Sequence, residues 1–395
     1  MAFDNDAVKL DILKQRAFNM RWATVLEGVI PLTAADSDFP AASAIGEAMI
    51  DYIKGGYFSY TPNRGLPAFR QAISKALWER KQEKVDPELI LPIDSAARGM
   101  EVIARTILKP GDEAIVFDPV DFLFKTSMEA AGAKVILYPM MFRADGTIDF
   151  DGLESYVTRN TKMLGLCNPH NPLGMVYPAE DLDHILRLSE KYGFYIMNDE
   201  IWSDIIYPDA HFTSILSLGP ERNSRTMSVF GFSKSFGIAG LRAGCVYCQD
   251  KELFEKVAAV SMVDTTIGGI TSLSQVAGIA CLEKSYGWVD AFIERLTLNR
   301  DYALQRIASM PGIFCRKPQA TFVIFPDITA AGMDPVDLVD YLFKQHKLLI
   351  VPGGARYFGP GSAGHVRICL ATSHAILSEG LDRLERGLRQ LASKK

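Results

Sequence analysis

The chain has 395 residues, 48% of them hydrophobic and 23% charged, and a formal net charge of −5. That length can bury a large core in more than one lobe, and the acidic balance lacks the basic footprint of a nucleic-acid binder. No window approaches the roughly 18 to 20 uncharged apolar residues of a membrane span, and residues 1–16 are polar where a signal peptide would be hydrophobic.

In chain order, apolar periodicity predicts helices over 43–54, closed by Gly55-Gly56, over 66–81, and over 97–108, stopped by Pro110-Gly111. Strand-like runs follow at 113–117, 134–138, 162–167 and 194–198, with a helix such as 179–192 between successive runs. This alternation predicts parallel βαβ units. Further strands are predicted at 226–230 and 244–248, and long helices at 269–284 and 288–309. After Pro311 the strands shorten, at 312–316, 321–325, 348–351 and 365–370, before a last helix at 376–391, and this stretch reads as a second, smaller lobe. No fixed-period repeat or charged linker interrupts the chain.

The cysteines, at positions 167, 245, 248, 281, 315 and 369, are too sparse for a disulfide scaffold and predict a reducing, cytoplasmic setting. Cys245 and Cys248 spell C-x-x-C but lie in an apolar run with no second ligand pair nearby. They read as buried thiols rather than a zinc or redox site, and no metal is expected.

An open parallel sheet binds ligands at the carboxyl ends of its strands, so the loops after Cys167, Asn198 and Phe230 should converge. Asn168-Pro-His-Asn-Pro-Leu-Gly174 is turn-rich and, taken alone, only a loop. Asp199-Glu200 ends an apolar strand, where a carboxylate either caps a helix or meets a positive partner. The third loop sets Lys234 among Phe232, Phe236, Ile238 and Leu241, with Arg242 eight positions later. These surroundings are too apolar for a freely solvated lysine. A desolvated lysine near other cations has a lowered pKa and can react as a neutral amine with an aldehyde. An arginine close by suits a phosphate, and an acid such as Asp199 suits a protonated pyridine nitrogen.

With these residues in view, N-P-H-N-P-L-G, D-E-I-W, S-K-S-F-G-I-A-G-L-R-A-G and a late V-R-I-C-L-A-T resemble the class I/II aminotransferases, of the aspartate aminotransferase-like, pyridoxal-phosphate-dependent fold type I. Leu32-Thr-Ala-Ala35-Asp-Ser-Asp-Phe39-Pro40 and Tyr60-Thr-Pro-Asn-Arg-Gly65 resemble earlier signatures of the same family. The resemblance implies an α/β fold, with a large domain built on a mostly parallel seven-stranded sheet flanked by helices and a smaller α/β domain. It places the large domain at 41–288 and the small one at 1–40 with 289–395.

The resemblance also implies roles. Lys234 would carry pyridoxal 5′-phosphate as a Schiff base and move the substrate proton. Asp199 would pair with the ring nitrogen and Asn168 with the ring oxygen. Ser233 and Arg242 would hold the phosphate with the backbone amides of Ala96 and Ala97, and Tyr60 would reach it from the second subunit of a homodimer with shared sites. Arg367 would grip the substrate α-carboxylate, assisted by Ala35 and Asn168. The substrates would be an amino acid and a 2-oxo acid, with neither nucleic acid nor membrane as partner.

Two positions depart from the family pattern. Asp121 stands where an aromatic often stacks on the cofactor, leaving Phe122 or Phe124 as candidates, and Trp202 stands where many members have a tyrosine. His170, Arg21-Trp22 and the run 199–205 lean toward the MalY/PatB branch of C–S β-lyases, whereas Leu241-Arg242 and 319–326 look like transaminases. Transamination is the favoured expectation and β-elimination of cystathionine type, giving pyruvate and ammonia, the alternative. A transcription regulator on this fold would need a DNA-binding module ahead of Leu32, where only about thirty residues precede it. Gly359-Pro-Gly361-Ser-Ala-Gly364 spells a dinucleotide fingerprint but precedes a strand instead of opening a helix, so it reads as a turn.

Overall fold

Apolar segments β1 (Ile90–Ile93), β2 (Glu113–Asp118), β3 (Lys134–Pro139), β4 (Thr161–Cys167), β5 (Tyr195–Asp199), β6 (Thr226–Gly231) and β7 (Gly244–Cys248) pair into one sheet ordered β1-β7-β6-β5-β4-β2-β3. The computed structural model describes residues 3–144, 146–265 and 267–393. Only β7 runs against its neighbours, β1 and β6. Helices α1 (Ala96–Ile107), α2 (Phe122–Ala130) and α3 (Ala179–Tyr192) connect the parallel strands. They cover the sheet on both faces, which explains the unbroken apolar runs of β4 to β6. Between β6 and β7 no crossover helix forms. Residues 232–243 instead fold into two short turns, Phe232–Ser235 and Ala239–Leu241, that rest on the sheet end.

Expected and observed elements differ for identifiable reasons. Helix α1 starts one residue before its expected position because Ser95 caps it, its Oγ accepting from Arg98 N at 3.2 Å. Strand β1, unanticipated, contains Pro92 and sits at the sheet edge, where a missing N–H is tolerated. The strand expected at 312–316 is absent: Phe314 makes a single bridge to Asp327.

The smaller sheet holds β8 (Val323–Ile324), β9 (Val351–Pro352) and β10 (Val366–Cys369), antiparallel in the order β8-β10-β9. Leu338 and Leu342 of helix Pro335–His346 and Leu377, Leu381 and Leu384 of helix His374–Ala392 pack onto it with Ile324 and Ile368. Each such buried side chain contributes about 1.5–3 kcal/mol. The 23-residue helix Tyr286–Ala308 joins the two cores, with Phe292 and Leu296 in the larger and Ala303 and Ile307 in the smaller. The segment Ile30–Pro31 pairs in parallel with Leu348–Leu349 and leads the chain to the junction between the sheets.

Cys245 and Cys248 are unbridged, and they point to opposite faces of β7, into different core clusters. Burial pushes both thiols up to about 12, so neither is a reactive thiolate. No helix among the described residues is long and apolar enough to cross a membrane.

Candidate active site

Ile93, Gly244 and Gly231 are register partners side by side across β1, β7 and β6. Three segments therefore meet at that sheet end: the start of α1 after Ile93, Ser233-Lys234 after Gly231, and Arg242 before Gly244. The approach is close, most of all at Gly244, which backbone atoms of three residues surround. A Cβ on Gly244 would lie 3.0 Å from the Ala96 nitrogen, and one on Gly231 would lie 3.0 Å from Ile201 Cδ1. Ala96 and Ala97 open α1, so their N–H groups lie at the positive end of its dipole without intrahelical acceptors. Arg242 is exposed and left-handed at φ 51°, Ser233 is partly buried, and neither side chain has a hydrogen-bond partner among the described residues.

Lys234 Nζ donates to the Ala35 carbonyl at 2.5 Å and stands 5.4 Å from the Trp202 ring centroid. Burial holds its pKa below the ordinary lysine value; Asp36 and Asp121 oppose that shift and Arg367 adds to it. Trp202 is fixed edge-on against Phe322, with centroids 4.6 Å apart. The aromatic surface beside Lys234 is therefore rigid.

Asp199 and Glu200 end β5 but face different surroundings. Glu200 is fully buried and neutralised, accepting from Lys81 Nζ at 3.1 Å, Ser214 Oγ at 2.7 Å and Asn198 Nδ2 at 2.9 Å. Asp199 accepts from Ile201 N at 3.0 Å and forms no ion pair among the described residues. Burial pushes its pKa up to about 7, against the pull of the Ile201 N–H and with a further push from Asp121 and Glu200. A carboxyl in that condition ionises fully once a cation is placed beside it.

Arg367, on β10, is only 8% exposed. Its Nη1 donates to Asn171 Oδ1 at 3.2 Å, its Nη2 to Thr33 O at 3.4 Å, and its Cζ lies 5.0 Å from the Phe358 ring centroid. The Nε is buried without a partner, and no carboxylate lies within ion-pair distance among the described residues. A buried guanidinium left unpaired costs several kcal/mol, so the site is built to receive an anion.

The resemblance implies Asn168 at the cofactor ring oxygen and beside the substrate carboxylate. Its amide is committed elsewhere, Nδ2 donating to Thr213 O at 2.9 Å and Oδ1 accepting from Tyr177 N at 3.3 Å, so it faces neither Lys234 nor Arg367. Asn171, three residues on in the same loop, is the amide in the cluster, linking Arg367 to Asp121 Oδ2 at 2.9 Å. The sequence signal was the second Asn-Pro of the motif. Tyr60 is 95% exposed in the single chain and joins no part of this cluster. Of the rings flanking Asp121, Phe124 is a core residue packed under Gly165, where a Cβ would lie 2.5 Å from its Cδ1, and Phe122 is 46% exposed. Asp121 itself caps α2, accepting from Leu123 N at 3.1 Å. Thr33 and Asp36, in the 32–40 segment that resembles a family signature, also border the cluster, although no role was expected of either.

The family model for aminotransferase class I and II matches residues 27–384. The chain is 32% identical to aspartate aminotransferase of Thermotoga maritima over 91% of each chain. It is 29% identical to cystathionine beta-lyase PatB of Bacillus subtilis over 91% of this chain and 92% of that one. A PLP-bound structure of an aminotransferase-type protein from Clostridium difficile 630 superposes with a TM-score of 0.86 at 26% identity, covering 95% and 96% of the two chains. The partly buried lysine, the guanidinium without a carboxylate partner and the sheet-end cradle thus sit in a chain that belongs to the class I and II aminotransferase family, whose cofactor is pyridoxal 5′-phosphate.

Proposed function

We propose that this site transfers the amino group of an L-amino acid to a 2-oxo acid, with Lys234 as the residue that holds the cofactor and moves the proton. The observation that carries the reading is the pairing of two unusual cations on one segment. Thr33 O meets Arg367 and Ala35 O meets Lys234, one cation lacking a carboxylate and the other biased toward its neutral form.

The residues fit the cofactor: Asp199 is an acid poised to ionise, and the Ala96 and Ala97 N–H groups at the start of α1 lack intrahelical acceptors; Arg367 Nε is an orphan donor for the substrate. Pyridoxal phosphate, when bound, supplies an aldehyde for the amino group and a ring that delocalises the electron pair left at the substrate Cα. The Ala96 and Ala97 amides, Ser233 and Arg242 would hold the phosphate. Asp199 would keep the ring nitrogen protonated, and Asn171 would take the ring-oxygen contact expected of Asn168. Arg367 and the Ala35 N–H would orient the substrate carboxylate, leaving the Cα proton facing Lys234 Nζ. Neutral Nζ would take that proton from Cα and hold it for the second proton transfer of the reaction.

Domain limits at 41–288, and at 1–40 with 289–395, accord with two cores joined by one long helix. A homodimer with shared sites accords with the exposed aromatic run Tyr57, Phe58 and Tyr60, whose exposures of 82%, 66% and 95% leave apolar surface for a second copy. A cytoplasmic setting accords with cysteines that form no disulfide among the described residues.

A second reading, a C–S β-lyase, is favoured by the similarity to PatB and by the buried cluster around Arg21 and Trp22, in the segment that leans toward that branch. Assaying an amino-acid panel with and without a 2-oxo acid separates the two. Transamination predicts product only with the acceptor present. Pyruvate and ammonia from cystathionine without an acceptor would overturn it.

A further inference from the structure

The backbone from Thr33 to Asp36 presents its carbonyls alternately to two sides. Thr33 O and Ala35 O accept from Arg367 and Lys234, at 3.4 Å and 2.5 Å. Ala34 O and Asp36 O turn the other way, and both accept from one guanidinium, Arg21, through Nη1 and Nη2 at 3.1 Å each. Arg21 is itself locked. Its Nη2 pairs with Asp38 Oδ1 at 2.5 Å, the same oxygen accepts from Trp22 Nε1 at 2.8 Å, and the Arg21 and Asp38 side chains are 0% and 1% exposed. Asn19 caps the short helix that carries Arg21 and Trp22, accepting from both backbone amides, and ties its Nδ2 to Asp36 Oδ2 at 3.3 Å.

We infer that Arg21, clamped by Asp38 and Trp22, is a positioning residue that sets the 33–36 segment so that Thr33 O and Ala35 O hold Arg367 and Lys234 in their working places. The inference rests on the roles of Lys234 and Arg367 proposed above. A planar guanidinium suits the task because its fork reaches two carbonyls and a carboxylate in one plane, which an ammonium cannot do. The segment's ends are independently held, Leu32 O by Cys369 N at 3.0 Å and Asp38 N by Ala371 O at 2.9 Å. Losing the fork therefore frees the middle of the segment while its attachment to the small sheet persists.

The test compares the full-length wild-type protein with Arg21→Lys, which keeps the charge opposite Asp38 but removes the fork, and with the milder Trp22→Phe. Lys234→Ala serves as reference. In cofactor-loaded protein, Arg21→Lys should raise KM for amino acid and 2-oxo acid about tenfold, more than it lowers kcat. In cofactor-free protein, an amine-reactive reagent should label Lys234 about threefold faster, because losing the Ala35 carbonyl disfavours the ammonium form. Lys81, buried beside Glu200, is the internal control, and its labelling should not change. Trp22→Phe should show the same pattern at smaller size, and it carries the test if Arg21→Lys does not fold. Unchanged KM and Lys234 labelling, or equal rises at Lys234 and Lys81, would overturn the inference by reducing the cluster to general stability. If Lys234→Ala keeps the visible band of the protein-bound cofactor, the underlying reading fails first and this proposal with it.

Discussion

Arg367 Nη1 and Asn171 Oδ1 meet at 3.2 Å, joining a strand of the small sheet to the loop that leaves β4 of the large one. The contact gives the guanidinium a fixed orientation while leaving its Nε unpaired. A hydrogen bond to a charged group contributes about 1.5–3 kcal/mol, so Asn171→Ala should raise KM for both substrates by about ten- to a hundredfold. Asn168→Ala should instead lower the melting temperature with KM nearly unchanged, since its amide braces Thr213 and Tyr177. Steady-state kinetics and thermal melting of the two variants check the contrast.

Asp199 predicts a pH signature in cofactor-free protein. Its carboxyl titrates at about 7 when folded against an ordinary 3.8. Between those values the unfolded chain has lost a proton that the folded chain retains. Its contribution to stability therefore falls as pH rises from 4 to 7 and stays lost above, by about 4 kcal/mol at most. Asp199→Asn should remove that decline, so melting curves of variant minus wild type should rise across this window. The same variant should bind the cofactor more weakly.

His170 predicts the opposite slope. Its ring is wholly buried, Nε2 donating to Pro119 O at 2.7 Å and Nδ1 accepting from Tyr177 Oη at 2.6 Å, and burial pulls its pKa down to about 4 from 6.5. As pH falls through that window the unfolded chain takes up a proton that the folded chain refuses, so stability declines on the acid side by about 3 kcal/mol. His170→Gln should flatten the stability profile between pH 6.5 and 4 whatever its absolute stability, and urea unfolding across that range measures the slope.

The exposed position of Tyr60 predicts complementation between subunits. Mixing Lys234→Ala and Tyr60→Ala chains by co-refolding should produce mixed dimers with one site carrying both changes and one carrying neither. Activity should recover to about one quarter of wild type from an equal mixture of two nearly inactive parents. No recovery would place Tyr60 outside the neighbouring site.

Much of this arrangement could be read in the chain because local and long-range signals agreed. The helices at 43–54 and 179–192 and the strand at 244–248 occur where their periodicity placed them. Lys234, Asp199 and Arg367 stand in apolar settings that already marked their charge as costly. What could not be read depends on tertiary detail. Asn168 and Asn171 are both Asn-Pro steps of one loop, and only the packing of Tyr177 and Thr213 decides which amide turns inward. Strand β1 is short and contains proline, so its pattern carries no strand signal until β7 pairs with it. The fork of Arg21 was invisible because it joins residues thirteen to seventeen positions apart through backbone carbonyls, which leave no trace in side-chain pattern.

Every role proposed here depends on Lys234 carrying the cofactor. Borohydride reduction of the cofactor-loaded wild-type protein, followed by proteolysis and mass measurement, tests it most directly. One cofactor mass per chain is expected, on the peptide containing Lys234, and none in Lys234→Ala. A cofactor mass on another lysine, or undiminished incorporation in Lys234→Ala, would contradict it.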